Sequence, residues 1–325
     1  MLDEKTKNLK LSAVRALEEY LEVKQKERVL LIFDSTTKDI ATAFDLAAKE
    51  LGLKITLHEI KPTGGHAMEP DEKTAQLMKK HPVVIAPTRY SLTHTKATIN
   101  ARKAGARVAT LPGINSSVFE KGLKPDPKKL EIAGQAWMNL LNGKHKVRVF
   151  TEAGTDITFL IGNYPVFNDC GCFFESGFGG NLPAGEVYLA PNPGTGLGTI
   201  VVDGTIGGQP WDNNSPPAKL VIENGSVKSF EGERGQLLRE TLEKAGPGAL
   251  KIAEFGIGTN PHLEMTGNLL GDEKVVGTVH FAFGNNVSMG GTNDVQVHID
   301  CILLLPDVLI DNKQVMHRGK WLINK

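Results

Sequence analysis

Along the first 145 residues the hydrophobic positions switch repeatedly between two periods. Leu11, Val14, Leu17 and Leu21 fall at helical spacing, whereas Val29-Leu30-Leu31-Ile32-Phe33, between Arg28 and Asp34, is an unbroken apolar run. The first pattern gives a helix one apolar stripe, and the second is what a strand covered on both faces requires. The alternation continues with a helix over 40–51, preceded by Ser35, Thr36 and Thr37 as capping hydroxyls and stopped by Gly52. Strands at 54–60, 82–87 and 106–111 then take turns with helices at 69–80, 94–104 and 126–141. Such strand–helix alternation predicts a parallel sheet covered by helices.

From Lys144 onward the character changes, because Gly and Pro become dense and strands short. Val147–Phe150 and Asp156–Leu160 predict a hairpin across Ala153-Gly154, and 198–204 and 219–228 predict paired strands with a turn at Glu223-Asn224-Gly225. A single helical pattern stands near 235–244. The expected fold class is α/β: an N-terminal parallel-sheet α/β domain over 1–145, followed by a β-rich α+β catalytic domain over 146–325. A chain of 325 residues exceeds the usual size of one domain, which agrees with two.

Candidate chemistry lies in the β-rich half. Read as strands, the segments 278–283 and 295–301 put their polar groups on one face. Gln296, His298 and Asp300 would oppose Val295, Val297, Ile299 and Cys301, and Thr278, His280 and Ala282 would oppose Val279, Phe281 and Phe283. Imidazoles and a carboxylate on otherwise apolar strands cost stability unless paired or ligated. Two His and one carboxylate are a common ligand set for a catalytic divalent metal. Glu186 opens a strand after Gly185, with Val187 and Leu189 on the opposite face, and Glu254 lies in the apolar, Gly-rich Ile252–Asn260.

Charge narrows the options. The chain carries 37 basic and 37 acidic residues, which argues against nucleic acid or a membrane surface as partner. A charged N-terminus without an apolar core and the absence of a spanning run lead to a cytoplasmic expectation. Three cysteines make no disulfide framework, and Cys170-Gly171-Cys172 reads as a Gly-rich turn because no second pair completes a zinc site. Gly194–Gly198 lacks the Lys-Ser or Lys-Thr of a phosphate loop and reads as a tight turn. Asp34, Arg89, Tyr90 and His94 follow predicted strands, at the edge where α/β sheets place ligand groups.

Four motifs in register extend this picture: N-L-P-x-G-E-V at 181–187, E-x-G-I-G-x-N at 254–260, H-x-A-x-G at 280–284 and G-G-x-N-x-x-x-x-H-x-D at 290–300. With Tyr90–His94 and Gly105–Gly113, this succession resembles the M29 metallo-aminopeptidases, the aminopeptidase T and aminopeptidase S group. The resemblance implies a homodimeric aminopeptidase that removes N-terminal residues from peptides through a metal-activated water. Glu186, Glu254, His280, His298 and Asp300 would hold two zinc, cobalt or manganese ions, with Glu254 or Glu186 as the catalytic carboxylate. The stretch Asn285–Met289 after His280 lacks the tyrosine such peptidases place near their metals. The chain also resembles the related dihydroxypyridine dioxygenase, in which one Fe(II) would sit on His280, His298 and Asp300 and the two glutamates would act around it. A metal-binding protein without catalysis is the third expectation.

Overall fold

The computed structural model describes residues 2–323. Internal contacts divide the chain into two compact units: residues up to Leu130 with Asp169–Ala184, and Glu131–Asn168 with the residues from Gly185 onward. This division differs from a single boundary near residue 145, since the stretch 169–184 returns to the first unit.

In chain order the first elements are α1 (Glu4–Arg15), β1 (Arg28–Phe33), α2 (Lys38–Leu51), β2 (Lys54–Glu59), α3 (Glu72–Lys80), β3 (Val83–Ala86), α4 (Lys96–Lys103), β4 (Arg107–Thr110) and α5 (Ser116–Gly122). They are followed by α6 (Pro127–Leu141), β5 (His145–Phe150), β6 (Asp156–Ile161), β7 (Val166–Asp169) and β8 (Gly179–Asn181). The sheet of the first unit has the order β2-β1-β3-β4-β8 and is parallel throughout, as the alternating pattern required. Val29–Ile32 of β1 and all of β3 and β4 are buried, which is why β1 and β3 read as continuous apolar runs, while β4 buries Arg107 and Thr110 at its ends.

Polar side chains set the ends of these elements. Asp71, Thr95 and Asn115 cap α3, α4 and α5 by accepting from backbone N–H groups three residues on. The sequence placed Glu69 inside α3, but its carboxylate instead accepts from the N–H groups of Lys96 and Ala97 at the start of α4, at 2.6 and 3.1 Å. Thr37 does not cap α2 through its side chain; its hydroxyl donates to the Pro87 carbonyl at 2.6 Å. Asp34, fully buried, accepts from the Thr36 N–H and hydroxyl and from the Arg89 N–H, so it ties two strand-end turns together.

The second unit adds β9 (Glu186–Leu189), β10 (Leu197–Val202), β11 (Ala218–Glu223), β12 (Ser226–Glu231), α7 (Glu233–Lys244), β13 (Ile252–Gly258), α8 (Leu269–Asp272), β14 (Val279–Gly284), β15 (His298–Leu303), β16 (Asp307–Ile310), β17 (Lys313–His317) and β18 (Lys320–Trp321). The predicted hairpins are present, β5 with β6 and β11 with β12. One sheet has eight strands in the order β12-β11-β10-β6-β5-β16-β17-β18, and the other five, β15-β14-β13-β9-β7.

A single apolar cluster gathers the inward residues of both sheets, among them Val149, Phe159, Ile200, Val187, Phe255, Phe281 and Cys301. Phe159 meets Phe255 and Phe281 with ring centroids 5.1 and 5.6 Å apart, and the latter two are 5.4 Å from each other. Tilted and edge-on contacts of this kind add about 0.5–1.5 kcal/mol each beyond area burial. They fix which face of β13 and β14 is the core face. The other face is left to the polar residues. One expectation needs correction here: β15 begins only at His298, so Val295, Gln296 and Val297 lie in the preceding loop, although Val295 and Val297 still pack against the apolar cluster while Gln296 is exposed.

Candidate metal centre

Strand register brings the five candidate ligands together. Gly256 of β13 lies opposite His280 of β14, and Glu254 opposite Ala282. Ala282 in turn lies opposite Asp300 of β15, and Gly284 opposite His298. On the other side of β13, Gly258 lies opposite Glu186 of β9. Residues directly opposed across strands share a face, as do residues two apart along one strand. Glu186, Glu254, His280, His298 and Asp300 therefore stand on one face of the five-stranded sheet, with the aromatic core on the other.

Their side chains converge. Nε2 of His280 lies 3.2 Å from Glu254 Oε1 and 3.4 Å from Glu186 Oε2, while Nε2 of His298 lies 3.1 Å from Glu254 Oε2 and 3.5 Å from Asp300 Oδ1. Among the described residues two groups of three close tightly enough to hold an ion: Glu186, Glu254 and His280, and Glu254, His298 and Asp300. Glu254 belongs to both. The expected triad of His280, His298 and Asp300 is thus split between the groups and joined through Glu254.

The surroundings orient these donors. Nδ1 of His298 donates to the Asn285 carbonyl at 2.7 Å, which directs Nε2 toward the carboxylates. His280 is completely buried, and its Nδ1 has no hydrogen-bond partner among the described residues. A buried Nε2 set against two carboxylates that cannot donate when ionised fits a cation held between them. Gly256 makes room for that ring: a Cβ there would stand 2.0 Å from His280 Nε2. Lys274, without solvent exposure, places Nζ 3.1 Å from Glu186 Oε1 and also contacts the Glu273 carboxylate.

The electrostatics tell the same story. Burial disfavours a charged His280, but the hydrogen bond to Glu254 and the charges of Glu186, Glu254 and Asp300 outweigh it and push its pKa up to about 9. His298 is raised well above its ordinary value against burial by Asp300 and Glu254. Glu254 goes the other way: burial would raise it, yet hydrogen bonds from both imidazoles hold it below the usual carboxylate range. In the metal-free protein, protons supply the positive charge that the carboxylates demand. The raised imidazoles stabilise the metal-free fold fully below their unfolded value of about 6.5; the His280 part is lost as pH rises through about 9, and the His298 part as pH rises through that group's own raised value. The denaturation midpoint of chelator-treated protein should therefore fall across that window, while metal binding, which displaces those protons, tightens by about tenfold or more. A midpoint and an affinity both flat between those limits would contradict this picture.

Several supporting residues were not legible in the chain. Asp272-Glu273-Lys274 reads as a polar surface run, and nothing in its spacing marks a buried lysine. Asn285 acts through its backbone carbonyl, which no side-chain pattern reports. Gly256 could have been found from the E-x-G-I-G pattern, since a glycine inside a buried strand signals close approach. In the first unit, Arg89 lies over the Tyr90 ring at 5.3 Å, and Tyr90 meets His66 edge-on at 5.5 Å. Cys170 and Cys172 are half-buried and form no disulfide. No helix among the described residues is long and apolar enough to cross a membrane.

Comparison with known proteins connects this site to a family. A curated relative, 2,5-dihydroxypyridine 5,6-dioxygenase of Pseudomonas putida (strain KT2440), is 26% identical over 206 residues, covering 60% of this chain and 58% of that protein. The solved structure of the 2,5-dihydroxypyridine dioxygenase from Pseudomonas putida KT2440 superposes with a TM-score of 0.81 at 20% identity, over 98% of this chain and 97% of the other. Wild-type AmpT from Thermus thermophilus superposes with a TM-score of 0.65 at 16% identity, over 97% and 99% of the two chains. At these identities the two structures establish a shared fold, including that of the aminopeptidase group which the motifs resemble. The model of the 2,5-dihydroxypyridine 5,6-dioxygenase family, NicX, matches residues 10–323, and the chain belongs to that family.

Proposed function

We propose that this protein is a metal-dependent oxygenase that opens the ring of a hydroxylated pyridine, with one ferrous ion as cofactor. The observation that carries the proposal is the set of two imidazoles and Asp300 on adjacent strands of one sheet face, within a chain of this family. Two His and one carboxylate leave coordination positions open, as non-haem iron oxygenases require. His280, His298 and Asp300 would hold the ion, which supplies the redox chemistry that dioxygen needs to react with an aromatic ring.

The chain's own groups do the remaining work. Glu254 lies against both imidazoles and is placed to hold their rings in orientation toward the ion. The Asn285 carbonyl fixes the ring of His298, and Gly256 lets His280 lie across β13. The overall reaction balances without an external reductant: one substrate and one dioxygen give a ring-opened product carrying both oxygen atoms.

A second reading is favoured by one specific observation, the two ligand groups that share Glu254. These suit a two-ion aminopeptidase using zinc, cobalt or manganese, with Glu186 or Glu254 moving the proton. Anaerobic metal analysis separates the two, combined with oxygen uptake on 2,5-dihydroxypyridine and hydrolysis of dipeptides. One iron per chain with one dioxygen consumed per ring opened is the expected result. Two zinc, manganese or cobalt ions with dipeptide cleavage would overturn it. A small-molecule substrate, homodimeric assembly and a cytoplasmic location belong to the same proposal, and light scattering of the purified protein tests the dimer.

A further inference from the structure

We infer that Lys274 restricts the centre to a single ion by withdrawing Glu186 from the ligand set. The inference rests on the one-ion reading above and supplies its physical cause. Five ligands on one sheet face would ordinarily serve two ions, and one of the two closed groups contains Glu186. Yet that carboxylate is already engaged on both oxygens. Its Oε2 faces His280 at 3.4 Å, and its Oε1 faces the Lys274 ammonium at 3.1 Å.

Lys274 is not a surface lysine that has strayed inward. It has no solvent exposure, and burying an ammonium is strongly unfavourable unless carboxylates compensate it. Its backbone is fixed, because the Lys274 carbonyl accepts from the Asn260 N–H at 2.8 Å, just beyond β13. The preceding turn is fixed as well: Asp272, also buried, accepts from the Thr266 and Gly267 N–H groups, each at 2.8 Å. An ion on Glu186 would share its ligand with a like charge where no solvent screens the repulsion. The ligands of the one-ion reading, His280, His298 and Asp300, do not include Glu186, and His298 and Asp300 close with Glu254 without it, so that ion escapes the conflict.

Cobalt(II) titration of the full chain, read by visible absorption and by ions per chain after dialysis, tests the inference. Wild type should bind one ion, Lys274→Met two, and Lys274→Arg, which keeps the cation, one again. Glu186→Gln should retain the wild-type ion with an affinity changed less than about threefold, well below the tenfold or more expected of a lost ligand. A folded Lys274→Met that still binds one ion would overturn the inference and leave the one-ion reading intact. Two ions in wild type would overturn both. Should Lys274→Met not fold, Glu186→Gln decides, and a tenfold loss of affinity there would show that Glu186 is a ligand. Wild type that binds one ion but opens no ring counts against the substrate, not against Lys274.

Discussion

His298→Ala should leave the protein folded and strip it of its metal. His298 opens β15, and its side chain is 32% exposed, so truncation removes little core contact; losing its hydrogen bonds to Glu254 and Asp300 should cost about 1–3 kcal/mol. The same truncation deletes Nε2, the atom within 3.1 Å of Glu254 and 3.5 Å of Asp300. Losing a group that merely supports a ligand typically costs 10–100-fold in metal affinity, and a ligand itself should exceed about a hundredfold. The expected outcome is a cooperative denaturation curve with a lowered midpoint, no stoichiometric metal after dialysis and no measurable ring opening. Asp300→Ala should behave alike. By contrast Asn285→Ala leaves the carbonyl that accepts from His298 in place, so it should retain metal. Wild-type metal content in His298→Ala would remove the imidazole from the site and the proposed chemistry with it.

Gly256→Ala is expected to damage fold and site together, although it adds a single methyl group. The new Cβ would stand 2.0 Å from Nε2, 2.2 Å from Cε1 and 2.8 Å from Cδ2 of His280, so the whole ring blocks it. Neither partner can move cheaply. Gly256 is paired on both sides within the sheet, and His280 is buried with its ring held by Glu254 and Glu186. Overpacking of this kind costs about 1–3 kcal/mol, and the displaced Nε2 should lower metal affinity by about a hundredfold or more. Urea denaturation measures the first effect and cobalt(II) titration the second. If Gly256→Ala kept both stability and metal, His280 would not lie across β13 as described.

Much of the fold was legible because period and burial are linked. The apolar runs at Val29–Phe33 and 83–86 became buried parallel strands, and the stripe of Ile40, Phe44 and Ala47 became the buried face of α2. Short-range pattern failed where a long-range partner decided. Glu69 caps a helix that starts twenty-seven residues later, and Thr37 bonds a carbonyl fifty residues away. The stretch Val295–Val297 alternates like a strand yet is loop. Its ends serve the turn instead: the Asn285 side-chain amide donates to the Val295 carbonyl, and the Asn285 N–H to the Val297 carbonyl.

The five candidate ligands were readable singly, because a polar residue on an apolar strand stands out against a pattern with period two. His280 between Val279 and Phe281, Glu254 before Phe255, and Asp300 between Ile299 and Cys301 all announce a polar face. The sequence could thus determine the fold class, the face and the types of donor. It could not determine which donors meet, because β9, β13, β14 and β15 are joined by long connections whose register depends on pairing across the sheet. Only that register brings Glu254 between the two imidazoles, lays His280 over Gly256 and sets a buried lysine against Glu186. Side-chain period is a local property of the backbone, whereas charge compensation is settled by distances of a few ångström between residues far apart in the chain.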